Sequence, residues 1–220
     1  MAWIYYDPRL MVTPFPKRLI REKLDVPPGF GKLTGSAYYD ANNRYVVLTP
    51  AVDGRAGWLV YDLRPPKSWY CRFEFWTGNG DGADAVYLSV YDDVYPTRYN
   101  DMREDIVRGG YHFTFDEYQS RMAFTKSTVD NGPSIAEVRV PRSYFMNGKW
   151  HVAEIWFWWE NGKACCRMRL DNGVYELKKA CDPNPQPNAL ACKGYIIFGG
   201  RTGGMNNEHR IRNIYFYIMG

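Results

Sequence analysis

The sequence has 220 residues and a formal net charge of +4 at pH 7, with 45% hydrophobic and 17% aromatic residues. This length suits one large β domain, since all-β sandwiches often reach it as a single unit. The apolar fraction excludes a disordered or low-complexity chain, and the basic residues are spread along the sequence, which gives no indication of a nucleic-acid partner. No stretch approaches the roughly eighteen consecutive apolar residues of a membrane span, so we expect a soluble protein without one.

Residues 1–32 are the least regular part of the sequence, because five prolines interrupt them. We predict an N-terminal arm or a first strand here, and residues 16–24 would also accommodate a short helix. The first residues lack a basic segment followed by an apolar core, which is the pattern of a signal peptide. We therefore expect no standard secretion signal, and the compartment stays open, including the surface of a cell or particle.

Period-two alternation of apolar and polar residues recurs over residues 33–220, and a sustained helical period does not. In the segment 70–76, Cys71, Phe73 and Phe75 alternate with Arg72 and Glu74. Such alternation predicts antiparallel strands with one buried face. The same pattern marks the segments 85–91, 112–118 and 211–218. The domain is therefore predicted to be nearly all β.

Two glycine-rich stretches follow predicted strands at distant places in the sequence. The first contains Gly80, Asp81 and Gly82, and the second runs from Thr202 through two glycines to Asn206. Glycine and aspartate are common in tight turns because they tolerate unusual backbone angles. Taken alone, each stretch predicts a turn.

The order of these features resembles the L-type lectins, the family of animal cargo-receptor and legume lectins. Residues 80–85 are similar to the family's Gly-Asp-Gly loop, residues 115–118 to its Phe-Asp-Thr-Tyr strand, and residues 202–211 to its Thr-Gly ending with a His-x-Ile. The segments 33–37, 46–49, 57–61, 150–157 and 164–171 resemble other strands of the family. The resemblance covers residues 33–220 and implies a concanavalin A-like jelly roll, a sandwich of two antiparallel sheets.

The resemblance also implies that the chain binds carbohydrate. A sugar site needs a fixed carboxylate, backbone donors and an apolar platform. By resemblance, Asp81 takes the place of the aspartate that accepts hydrogen bonds from two sugar hydroxyls, and Gly82 leaves room for the ring. Gly110 is similar to a glycine that adds a backbone donor in legume lectins, although a structural turn glycine is the alternative. The residues similar to the segment whose amides contact the sugar are Gly203, Gly204, Met205 and Asn206.

Calcium is a further implication of the resemblance, and a hard cation of this kind takes oxygen ligands. Asp116 matches the first ligand aspartate of the family and Tyr118 its backbone carbonyl donor, but Ser120 stands where the family has asparagine. Asp130 is an acidic residue further along, in a tetrapeptide that equally well predicts a type I′ hairpin turn. Calcium is therefore left open as a cofactor.

The five cysteines and the histidines carry no metal-binding spacing. Strand alternation predicts that Cys166 is buried and that Cys165 points outward. A bridge between Cys181 and Cys192 would close the proline-rich loop between them and contribute roughly 2 to 3 kcal/mol, and its formation is left open. The family's disulfide has no counterpart, because its upstream cysteine is missing. His209 is interpreted as a structural hydrogen-bonding residue near the end of the sheet.

We expect a nonenzymatic lectin-like module with a glycan or glycoprotein as partner, and two other functions stay open. The jelly roll also serves glycoside hydrolases, which need two carboxyl groups about 5 to 9 Å apart, and Glu74 and Glu154 are the candidate pair. The other alternative is a structural or adhesive module, such as a coat or filament component, without sugar binding. The eighteen tyrosines suit a glycan platform or a protein contact surface, including one in a homo-oligomer.

Overall fold

The computed structural model describes residues 17–92, 95–98, 110–126, 134–185 and 194–219. These residues form fifteen strands, one short α-helix (α1, Arg142–Phe145) and one 3₁₀ turn (Asp171–Gly173). The strands are β1 (Lys17–Glu22), β2 (Lys32–Gly35), β3 (Tyr38–Asp40), β4 (Tyr45–Thr49), β5 (Ala56–Tyr61), β6 (Trp69–Gly78), β7 (Ala85–Asp92), β8 (Tyr111–Asp116), β9 (Arg121–Lys126), β10 (Ser134–Arg139), β11 (His151–Glu160), β12 (Lys163–Leu170), β13 (Tyr175–Cys181), β14 (Tyr195–Arg201) and β15 (Glu208–Ile218). None of the helices in this part of the chain has the length and apolar character needed to cross a membrane.

Two antiparallel sheets contain all of these strands. The eight-stranded sheet has the order β13-β12-β11-β6-β15-β4-β3, and β1 also pairs with β15. The seven-stranded sheet has the order β10-β9-β8-β7-β14-β5-β2. The predicted all-β jelly-roll sandwich is confirmed. Residues 17–22, within the proline-rich segment, form a strand of the larger sheet.

The main core lies between the two sheets and follows the predicted alternation. Phe73 and Phe75 of β6 are fully buried, whereas Arg72 and Glu74 are half-buried on the outer face. Trp69, at the start of β6, packs against core phenylalanines from three other strands, with ring centroids 4.8 to 5.4 Å apart. Aromatic rings bury large apolar areas and favour such stacked and edge-on contacts, so aromatic packing joins the two sheets.

The central strands of the seven-stranded sheet are buried on their outer face as well. Val86 of β7 faces the main core as predicted, but Tyr87 on the other face is also fully buried, in a second apolar cluster with Trp58 and Ile197. The Trp58 indole N–H donates a hydrogen bond to the Tyr87 hydroxyl at 2.6 Å. Simple alternation predicts a half-buried strand here, and the second cluster is the reason that this strand is buried on both faces.

The cysteine pairing differs from the one considered from the sequence. Cys165 and Cys181 are opposite each other on β12 and β13 and form a disulfide. Cys181 is therefore not bonded to Cys192, which lies outside the described residues. Cys165 does not point into solvent, because the bridge takes its sulfur and the residue is 1% exposed. Cys166 is a buried free thiol, as the alternation predicts.

Candidate functional site

Two loops cross from one sheet to the other at the same end of the sandwich. The Asp81 loop (residues 79–84) joins β6 to β7, and the Asn206 loop (residues 202–207) joins β14 to β15. Because β6 pairs with β15 and β7 pairs with β14, with Gly78 opposite Glu208 and Ala85 opposite Arg201, both loops leave from neighbouring strand ends. The strand register therefore places side by side two loops that are more than a hundred residues apart in sequence.

The main chains of the two loops are joined by hydrogen bonds. The N–H groups of Asp81 and Gly82 both donate to the carbonyl oxygen of Asn206, at 2.8 and 3.2 Å. The Asp84 N–H donates to the carbonyl oxygen of Arg201 at 2.9 Å. The loop between β4 and β5 adds a third contact, in which the Gly54 N–H donates to the Gly203 oxygen at 2.9 Å. These bonds hold the backbone of the candidate site in one arrangement.

Most of the residues assigned from the sequence lie in these two loops. The Asp81 side chain is exposed, Gly82 is buried with a φ of +86°, and Gly204 is exposed. Met205 is half-buried, and the Asn206 side-chain amide donates to an oxygen of Asp53 at 2.8 Å.

Gly110 is not brought to these loops. Tyr111, which follows it, pairs with Val90, whereas Ala85 at the loop end of β7 pairs with Asp116. Five residues along a strand correspond to roughly 16 Å. Gly110 therefore stands at the other end of the strand pair, where its φ of +94° suits a structural turn glycine.

Asp84 is a candidate site residue that the sequence interpretation missed. It is half-buried at the end of the Asp81 loop, after a cis peptide bond from Ala83. A Cβ atom built on Gly203 would stand only 3.1 Å from Asp84 Oδ2, so this carboxylate lies directly against the Asn206 loop. The Asp81 side chain is instead exposed to solvent. The available sequence signal was the position of Asp84 immediately before a buried strand.

A buried polar network lies beneath the loops. Glu117 Oε1 accepts hydrogen bonds from the Asn207 side-chain amide at 2.9 Å, and it lies 2.6 Å from His209 Nε2. The other ring nitrogen of His209 is 2.6 Å from the Thr49 hydroxyl, which donates to the Asn207 carbonyl oxygen at 3.2 Å. All four residues are fully buried. Since buried polar groups are costly unless they are paired, this network ties the end of the Asn206 loop to the Glu117 turn.

The predicted calcium ligands have other partners. Asp116, at the end of β8, accepts a hydrogen bond from the Gln119 N–H at 2.7 Å, and its other oxygen lies 3.7 Å from Arg121 Nε. Burial raises the pKa of Asp116 to about 7, although the Gln119 N–H and the Arg121 charge act in the opposite direction. The carbonyl oxygen of Ser120 accepts a hydrogen bond from the Val140 N–H at 3.0 Å.

The carbonyl oxygen of Tyr118, the backbone ligand implied by resemblance, accepts a hydrogen bond from Arg142 Nη2 at 3.1 Å. A cation on this oxygen would face the positive charge of Arg142. Among the described residues, the only group of three or more His, Cys, Asp or Glu side chains close enough to share a metal is Glu160, Cys165 and Cys181, and the two cysteines are bridged to each other. Asp130 lies outside the described residues. The oxygen atoms of Asp116, Tyr118 and Ser120 therefore do not fit a calcium site.

The carboxylates considered for hydrolysis lie on the outer face of the eight-stranded sheet. Glu74 Oε2 accepts a hydrogen bond from Arg212 Nε at 2.8 Å, and Glu154 Oε1 accepts one from the Tyr70 hydroxyl at 2.9 Å. Arg169 lies 3.6 Å from the second oxygen of Glu154. Each carboxylate is thus held by neighbours on its own sheet.

Comparison with known proteins identifies the fold of this chain. No model of a known protein family matches the sequence, and no curated protein matches it. Solved structures do match: a Bauhinia forficata lectin in complex with GalNAc (16% identity, TM-score 0.68, covering 91% of this chain and 98% of the lectin) and a Lotus tetragonolobus seed lectin (15%, 0.70, 90% and 96%). The exoplasmic/lumenal domain of VIP36 in its Ca²⁺/Man3GlcNAc-bound form is also similar (14%, 0.63, 90% and 87%). The chain has a concanavalin A-like jelly-roll fold.

Within that class, the matches are to legume lectins and to VIP36, so the chain has the fold of the L-type lectins. The resemblance stated from the sequence is confirmed at the level of the fold.

Proposed function

We propose that this chain is a nonenzymatic carbohydrate-binding module whose site lies where the Asp81 loop meets the Asn206 loop. The observation that carries this proposal is the position of the Asp84 carboxylate against Gly203, between two loops joined by hydrogen bonds. A neutral sugar is recognised by a fixed carboxylate that accepts hydrogen bonds from adjacent hydroxyls. Because both loops are already held together, little conformational entropy would be lost on binding.

Each component of a sugar site has a candidate at this end of the sandwich. Asp84 supplies the carboxylate, and the exposed backbone around Gly204 supplies main-chain donors. Tyr118, whose N–H donates to the Asp84 carbonyl oxygen at 3.3 Å, is 48% exposed and would supply an aromatic platform. Asp81 is exposed at the rim of this site and does not face Gly203. The structural neighbours are lectins, which supports the proposal.

A matched pair of substitutions tests this assignment on a glycan array. Asp84→Asn preserves the shape of the side chain and removes its charge, so we expect the signal of any bound glycan to fall roughly 10- to 100-fold, the value of a hydrogen bond to a charged group. Asp81→Asn is the control and should change the signal much less. Unfolding temperatures within about 2 °C of wild type would show that both variants are intact. Absence of any glycan binding by the wild type, or full binding by Asp84→Asn, would overturn the proposal.

Catalysis is not part of this proposal, because neither Glu74 nor Glu154 lies at the two loops. A reducing-sugar assay on polysaccharides should show no release. Release that is abolished by Glu74→Gln or Glu154→Gln would favour hydrolysis instead.

A structural or adhesive module is the second candidate, and one surface favours it. On the outer face of the eight-stranded sheet, the Arg210 guanidinium lies 4.0 Å from the ring centroid of Trp76, and that of Arg212 lies 4.0 Å from Trp150. Tryptophan, tyrosine and arginine are enriched in protein interfaces. A second copy of the chain, or another protein, would then contact this face. Sedimentation at micromolar concentrations, with Trp76→Ala as the variant, tests for a homo-oligomer.

We also propose that the protein works in an oxidising compartment or on an external surface. The Cys165–Cys181 disulfide supports this, since such bonds persist mainly outside reducing cytosol. Titration of free thiols in freshly isolated protein, with and without reductant, tests whether the bridge is present in its native setting.

A further inference from the structure

Arg142 lies beneath the Asp81 loop and reaches the turn that follows β8. A Cβ atom built on Gly82 would stand 2.8 Å from Arg142 Cδ, so the methylene groups of the arginine are in close contact with the loop. At the far end of the side chain, Nε donates to the carbonyl oxygen of Glu117 and Nη2 to that of Tyr118, both at 3.1 Å. One side chain therefore connects the Asp81 loop with the Glu117–Tyr118 turn.

The peptide group between Glu117 and Tyr118 transmits this contact to Asp84. Its oxygen accepts the hydrogen bond from Arg142, and its N–H donates to the carbonyl oxygen of Asp84 at 3.3 Å. Arg142 thus holds one side of a peptide group whose other side holds the residue with the candidate sugar-binding carboxylate. Loss of the Arg142 side chain would therefore loosen both this peptide group and Asp84.

A second guanidinium lies beside the acidic residue of the same turn. Arg121 Nε is 3.7 Å from Asp116, and its Nη1 donates to Glu137 at 2.8 Å. The carbonyl and the carboxylate that the resemblance assigns to calcium are therefore both next to an arginine. Together the two side chains bring the same charge as one divalent cation, and a guanidinium presents its donors in a fixed planar fork that suits paired oxygen acceptors.

The backbone around Arg142 is itself well anchored. The Phe145 side chain is fully buried, and the Phe145 carbonyl oxygen lies 3.1 Å from His151 Nε2. The Met146 N–H donates to the Arg142 carbonyl oxygen at 3.0 Å, which closes the single turn of α1. The arginine is consequently presented from a short helix that is fixed to the core, as a positioning group requires.

We propose that Arg142 positions the carbohydrate-binding loops in place of a calcium ion, so that the order of these loops does not depend on metal. This inference rests on the proposed function for its purpose, since the loops it positions are those of the proposed sugar site. Arg142 does not touch the sugar in this arrangement. It acts through the Glu117–Tyr118 peptide group and through its packing under Gly82.

Amide hydrogen exchange measured by mass spectrometry tests the proposal without any glycan. Exchange in residues 80–84 and 117–120 of the wild type, and its unfolding temperature, should be the same in calcium chloride and in EDTA. Arg142→Met keeps the aliphatic part of the side chain and removes the donors. We expect exchange in both segments to become about tenfold faster or more, as expected for the loss of hydrogen bonds from a charged group.

Two further variants make the result specific. Arg139→Met is the matched control, because Arg139 donates to the neighbouring Gln119 carbonyl oxygen at 2.9 Å but does not lie under Gly82. It should leave exchange in residues 80–84 unchanged. Arg142→Lys keeps the charge without the fork and should give an intermediate rate. Unchanged protection in β6 would show that Arg142→Met is folded.

Two results would overturn the proposal. The first is a wild-type protein in which calcium raises either the protection of residues 80–84 or the melting temperature. The second is an Arg142→Met variant with wild-type exchange in both segments. These outcomes are independent of the glycan array. If the loops respond to Arg142 as expected and no glycan binds, the proposed function fails while the positioning role of Arg142 stands.

Discussion

Substitution of Gly82 by alanine perturbs the contact between the Asp81 loop and α1. Gly82 has a φ of +86°, and an added Cβ would stand 2.5 Å from Met146 Sδ and 2.8 Å from Arg142 Cδ. Left-handed backbone costs an L-residue about 1 to 2 kcal/mol, and overpacking typically costs about 1 to 3 kcal/mol more. We therefore expect Gly82→Ala to lower the free energy of unfolding by about 2 to 5 kcal/mol.

Gly148→Ala separates the two contributions. Gly148 also has a positive φ, +75°, but nothing lies within 4 Å of a Cβ built there. This variant should show only the backbone cost of about 1 to 2 kcal/mol. Urea unfolding, followed by far-UV circular dichroism, gives both values on the same scale.

A double-mutant cycle with Met146→Ala completes the experiment. Removing the methionine side chain makes room for the new methyl group, so the two substitutions should couple favourably by about 1 kcal/mol or more. Additivity within about 0.5 kcal/mol, or a Gly82→Ala variant no less stable than Gly148→Ala, would refute the idea that the loop packs on α1.

Two further predictions concern the stability of the fold. Replacing both Cys165 and Cys181 by serine removes a bridge between residues 16 apart in sequence and should lower the free energy of unfolding by about 3 kcal/mol. The reduced wild type should be as stable as this variant. Equal stability of the oxidised wild type and the variant would contradict the prediction. Burial alone would raise the pKa of Asp171, but hydrogen bonds from His151, the Val152 N–H and Tyr144 outweigh it and leave this pKa below its ordinary value. A depressed carboxyl pKa contributes stability above about pH 4 that is lost as the pH falls further, so the stability difference between wild type and Asp171→Asn should shrink below about pH 4; a difference that does not vary between pH 3 and 7 would contradict it.

The faces of the strands could be read from the sequence. Phe73, Phe75 and Cys166 are buried where period-two alternation places them, because the free energy of burying apolar surface acts on each side chain locally. The glycine-rich stretches were likewise predicted as turns, since glycine favours turn conformations whatever surrounds it. The order of these features, which resembles that of the L-type lectins, was sufficient to predict the fold.

Period-two alternation did not predict burial correctly where a second apolar cluster covers the outer face of the sheet. Tyr87 is buried on the face predicted to be half exposed, because a second apolar cluster lies there. A strand of this kind has no local pattern that distinguishes a solvent-facing tyrosine from a covered one.

The composition of the candidate site was decided by the tertiary structure. Asp84 rather than Asp81 lies against Gly203, Cys181 is bonded to Cys165, and Arg142 reaches Tyr118. The Asp84 and Cys181 contacts depend on the register in which their strands pair, and the Arg142 contact depends on how α1 packs beside the turn after β8. A local pattern specifies which face of a strand is buried, but the register between strands follows from the packing of the whole sandwich, since a shift of one residue would turn every side chain to the opposite face.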